Sequence, residues 1–137
     1  MNITETKQMI IEFENGSFPK EKWTHEAHFI MALWYCYHYP LPAAINKITN
    51  GIKKYNEAVG GKNTDTSGYH ETITLSYTSL ISHYIITSTY FNCLEELLVS
   101  LNGEVFLQKD YLLNFYSKEE LMSSDARKSY KKPSLKK

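Results

Sequence analysis

The stretch GYHETITLSYTSLISHYIITS, residues 68–88, decides between two folds. With a period of two, Ile73, Leu75 and Tyr77 alternate with hydroxyl residues as in a half-buried strand. With a helical period, His70, Ile73, Tyr77, Ile81 and Tyr84 fall on one stripe. Length favours the helix, because a strand of about five or six residues is the norm and this pattern runs much further. The run of 23 uncharged residues at 72–94 could span a bilayer by length, yet nine of them are Ser or Thr and His and Asn are present as well. We therefore read a buried element of a water-soluble protein, with no membrane partner.

Towards the N-terminus, GGKNTDTSG at 60–68 is a turn-rich loop that separates this helix from an earlier one. That earlier helix opens at Pro42, carries Ile45, Ile48, Ile52 and Tyr55 at helical spacing, and stops at Gly60-Gly61. A further helix begins near Thr24, whose hydroxyl suits an N-cap, and ends at the prolines of HYPLP. Residues 27–37 are apolar nearly all round, so this helix is expected at the centre. Residues 3–14 form an amphipathic helix with Met9, Ile10 and Phe13 on one face. Towards the C-terminus, a helix at 94–101 ends at Asn102-Gly103, and short helical pieces fall around 110–116 and 118–122. The expected fold is a single all-α domain of five or six packed helices at 1–126, followed by a basic tail at 127–137.

A chain of 137 residues is enough for one domain with a real core. Eleven tyrosines suggest a core with many hydroxyl tips. The zero net charge is unevenly spread: residues 127–137 hold six of the fifteen basic residues and no acid, leaving nine basic against fifteen acidic residues elsewhere. An acidic body argues against a nucleic-acid groove, and the tail is expected to be solvated and to add little stability. No secretory signal opens the chain, so a cytoplasmic location is the default expectation. Cys36 and Cys93 are too few and too far apart for a disulfide framework or a cysteine zinc site.

Three histidines and one carboxylate carry the candidate chemistry. His25 and His28 are three apart on the central helix and project towards a common point, and His70 begins the next long helix on its inward stripe. With Glu71 beside it, the set His25, His28 and His70 suits a divalent metal such as Zn, Fe, Mn or Ni, and Glu71 would serve as a ligand or general base. The same residues also suit a metal-free pocket or a hydrogen-bonded structural network. Asn56, Asn63, Thr64, Tyr69 and Thr72 surround this helix start and offer contacts to a small anionic molecule. Arg127, the one arginine beside fourteen lysines, is expected to pair with a carboxylate, either of a ligand or of the protein, such as Glu12 or Glu71. His38 and His83 read as structural.

The blocks WTHEAHFIMALWY, GIKKYNEAVGGKNT and GYHETIT together resemble a family of small bacterial proteins with no established activity, with a later segment similar to FYSKEELMSSDARKSY. The likeness covers roughly residues 12–135. It implies that Thr24, His25, His28, Tyr55, Asn56, Asn63, Thr64, Gly68, Tyr69, His70, Glu71, Thr72 and Arg127 share one pocket. Trp23 stands where that family also carries phenylalanine, and the lysine-rich end departs from its more acidic ending. Two functions follow as expectations: a metal-dependent hydrolase-like enzyme, or a non-enzymatic module that binds a small anion or uses the cluster to stiffen its core.

Overall fold

The computed structural model describes residues 2–88 and 93–135; residues 89–92 of the uncharged run and the last two lysines of the tail lie outside the described residues. Among the described residues the chain is all-helical in one packed domain: α1 Ile3–Asn15, α2 His25–His38, α3 Leu41–Ala58, α4 Glu71–Thr87, α5 Leu94–Leu101, α6 Lys118–Leu121 and α7 Ser124–Lys128. Short 3-10 turns occur at Lys20–Lys22, Val105–Leu107 and Tyr111–Asn114. Residues 71–87 of that stretch are thus helical, as its length required. No described helix is long and apolar enough to cross a membrane.

Local chemistry sets the boundaries. Asn2 and Glu5 cap α1 reciprocally, and Gly16 closes it in the left-handed region at φ 79°. Thr24 caps α2 by accepting the Ala27 N–H at 3.2 Å. Two short helices in the C-terminal third begin with serine caps, Ser117 for α6 and Ser123 for α7. The sequence reading found α6 but not α7, whose residues it placed across the start of the basic tail.

Helix α2 is the hub. It packs against α1, α3, α4 and α5. Ala27, Phe29, Ile30, Met31, Ala32, Leu33 and Tyr35 are all buried, which explains its unbroken apolar sequence. Tyrosine hydroxyls tie the layers together: Tyr55 donates to the Phe18 carbonyl at 2.6 Å, Tyr84 to the Leu97 carbonyl at 2.8 Å, and Tyr35 to the Glu14 carboxylate at 2.6 Å. The large apolar bodies stay inside while each polar tip finds an acceptor.

The C-terminal segment is docked onto the start of α4. The Thr72 hydroxyl donates to the Ala126 carbonyl at 2.7 Å, with the Ser129 carbonyl at 3.0 Å, and accepts the Lys131 N–H at 3.0 Å. The Tyr116 hydroxyl donates to the Lys131 carbonyl at 2.6 Å, and the Leu135 N–H donates to the Phe115 carbonyl at 2.9 Å. The expected boundary at residue 127 therefore falls within a hydrogen-bonded clasp. Composition marked this segment as solvent-facing, but its backbone groups, which composition does not report, do the holding.

Candidate functional site

His70 is the N-cap of α4. Its Nδ1 accepts the Ile73 N–H at 3.1 Å, and its Nε2 donates to the Leu121 carbonyl at 2.6 Å. These partners fix a neutral imidazole with its proton on Nε2. Burial lowers its pKa below the usual 6.5, the Leu121 carbonyl opposes that shift, and the nearby Arg127 charge adds to it. The one free lone pair, on Nδ1, is taken by the Ile73 N–H, so His70 does not fit the expected ligand set without giving up its cap. Among the described residues, no three His, Cys, Asp or Glu side chains are grouped to hold a metal ion.

Glu71 is likewise not joined to the histidines. Its carboxylate accepts the hydroxyl proton of Tyr69 two residues back. Burial first, and then this carboxylate, push the Tyr69 phenol far up, and Lys53 Nζ lies 4.8 Å from the Tyr69 ring centroid. The role of base at a metal-bound water is thereby left without its geometry.

The loop residues expected to contact a ligand bind one another instead. Asn63 Oδ1 accepts both Asn56 Nδ2 and the Tyr69 N–H at 3.0 Å, and its own Nδ2 donates to the Lys53 carbonyl at 3.0 Å. Thr64 closes the turn through its N–H to the Ser67 carbonyl at 2.8 Å. Gly68 sits at φ 80°, where a Cβ would lie 2.3 Å from the Lys62 carbonyl oxygen and 2.8 Å from Asn63 Oδ1. Arg127 Nη1 donates to the Gly68 carbonyl at 2.8 Å, so the lone arginine serves backbone oxygens rather than a carboxylate. Thr72 holds the C-terminal clasp described above. Asn56, Asn63, Tyr69, Thr72 and Arg127 are thus brought together as a scaffold for the start of α4.

His28 stands apart from this scaffold. Its Nδ1 donates to the Thr24 carbonyl at 2.7 Å, one turn back, which leaves Nε2 as an acceptor with no hydrogen-bond partner among the described residues. Its ring lies against that of Trp23, with centroids 4.0 Å apart and the planes tilted by 31°. Burial lowers its pKa, the Thr24 carbonyl partly offsets this, and His25 adds a smaller lowering.

His25 and His28 both line a cavity of about 550 Å³ between α2, α3, α4 and the C-terminal third. Phe29, Met31, Ala32, Ile48, Leu112 and Leu121 are its buried apolar walls. Exposed Lys109, Asp110 and Lys118 mark its mouth, with His25 edge-on to Phe29 and Tyr77. Burial, with Asp110 nearby, pushes the Tyr77 phenol up to about 12, so it remains a protonated wall residue. The sequence reading missed the contribution of residues 109–122, which lie in short pieces with no measurable period.

Compared with family models, curated proteins and solved structures, the chain has no match.

Proposed function

We propose that the chain binds a small molecule with an apolar body and one polar group, the body filling the 550 Å³ cavity and the polar group meeting His28. The observation that carries this reading is the unpartnered Nε2 of His28, a fixed acceptor in a cavity whose buried walls are apolar. A largely apolar pocket with a few oriented polar groups is the usual form of a small-molecule site. The reading sets aside metal-dependent hydrolysis, because His70 has committed both ring nitrogens and Glu71 has committed its carboxylate to Tyr69.

The test compares 1-octanol with its methyl ether by calorimetry on the full chain. The alcohol can donate to Nε2 and the ether cannot, so the alcohol should bind about two- to tenfold tighter, the net worth of one hydrogen bond. His28→Phe should abolish that difference. Absence of octanol binding, or a stoichiometric metal in protein purified without a histidine tag, would overturn the reading.

A further inference from the structure

Beyond His28 lies a second cavity, of about 370 Å³, and His28, Ile52, Ile73 and Thr74 line both chambers. The chambers differ in chemistry. The second adds Lys20, Lys62, Trp23 and Ser67, and no carboxylate side chain lines it. His70, also in its wall, is neutral and fully bonded. The indole Nε1–H of Trp23 is buried with no hydrogen-bond partner, the one such orphan among the described side chains. That atom is closed off from the cavity, so it takes no part in what the wall offers a ligand. Two exposed ammonium groups and no competing carboxylate make this wall suited to negative charge.

We propose that the second cavity is the subsite for an anionic head, a carboxylate or phosphate, on the molecule whose apolar body fills the first, so the ligand is an anionic amphiphile threaded past His28. This rests on the binding reading above and names the polar group that it left open. Lys20 and Lys62 supply the charge at the rim. His28 Nε2 is a bare acceptor in the empty chain and would repel an anion, so binding must bring a proton to Nε2, turning it into a donor. The charged and titratable groups around His28 are His25 on its own helix, Lys20, Lys62, His70 and the neutral phenol of Tyr69 across the second cavity, and Lys109, Asp110, Lys118 and the neutral phenol of Tyr77 across the first.

The experiment is calorimetry of the full chain with 1-octanol, octanoate and octyl phosphate, in two buffers of different ionisation enthalpy. At least one anion should bind roughly tenfold tighter than octanol, as a charge-assisted contact allows. Its binding should take up a proton, and its affinity should rise as the pH falls towards that of free imidazole, while octanol shows neither effect. In Lys20→Gln/Lys62→Gln the ratio of anion to octanol affinity should fall to about one. The anion that gains more identifies the head group. Equal affinities, or uptake of no proton, overturn the proposal while leaving octanol binding, and so the first cavity, intact. A gain that survives Lys20→Gln/Lys62→Gln places the anion at Lys109 and Lys118 and also overturns it. Failure of octanol to bind ends both readings.

Discussion

His70 donates its Nε2 proton to the carbonyl of Leu121, 51 residues further along the chain, while its Nδ1 caps the helix that starts beside it. One ring therefore begins α4 and fastens the segment that walls the apolar cavity. His70→Asn can still accept from the Ile73 N–H but is too short to reach Leu121, so it leaves a buried carbonyl unmatched and should cost about 1–3 kcal/mol. His70→Ala loses the cap as well and should cost about 1 kcal/mol more. Urea denaturation of the two variants checks the order. Equal losses would mean that the cap contributes nothing.

Acid should unfold the protein through its histidines. Burial holds His25, His28 and His70 below the usual 6.5 in the folded chain. As the pH drops below that value the unfolded chain takes up protons first, so stability is full above it and is lost as the pH falls through the folded values. Urea midpoints at about pH 7.5 and about pH 5 should differ, with the lower value in acid, and His70→Asn should show a smaller difference. An equal midpoint at both would contradict the burial argument.

Removing residues 132–137 takes away the Leu135 bond to Phe115 and little else, so it should cost no more than about 1 kcal/mol. Removing residues 124–137 strips out buried Ala126 together with Arg127 and leaves the Thr72 hydroxyl unmatched in the interior. That truncation should lower the thermal midpoint sharply or abolish cooperative melting. Thr72→Val isolates the hydroxyl at nearly constant shape and should cost about 1–3 kcal/mol.

Gly68→Ala should be among the most damaging single-atom-scale changes. Its backbone lies in the left-handed region, and the added carbon would strike the Lys62 carbonyl and the Asn63 side chain. The backbone penalty alone is about 1–2 kcal/mol, and the collision adds to it. Urea unfolding measures the loss; a variant as stable as the parent would show that the loop is free to rearrange.

The helices were legible where a period and a cap coincide, as at Thr24 and the prolines around Leu41. The inward phase of His70 was legible too, but not its task. Its partner is a backbone carbonyl in a four-residue helix, and no residue-type pattern announces a carbonyl. Arg127 was singled out for its rarity and expected to meet a carboxylate. The acceptor is again main-chain oxygen, invisible to a reading based on side-chain charge. Glu71 stood beside a histidine in sequence and was linked to it, yet neighbours on a helix start point about 100° apart, and Tyr69 was the residue within reach. The cavity was least legible, because residues 109–122 enter it from pieces too short for periodicity to show.

Both tryptophans of the chain lie against a histidine: Trp23 on His28 at 4.0 Å and Trp34 on His38 at 4.1 Å between ring centroids. A charged imidazole in contact with an indole quenches its fluorescence, so the Trp23–His28 pair is an optical gauge of the proton on His28. Trp34→Phe leaves a single indole, and its brightness under tryptophan-selective excitation then reports on the ring that separates the two chambers, without a label and in the intact chain.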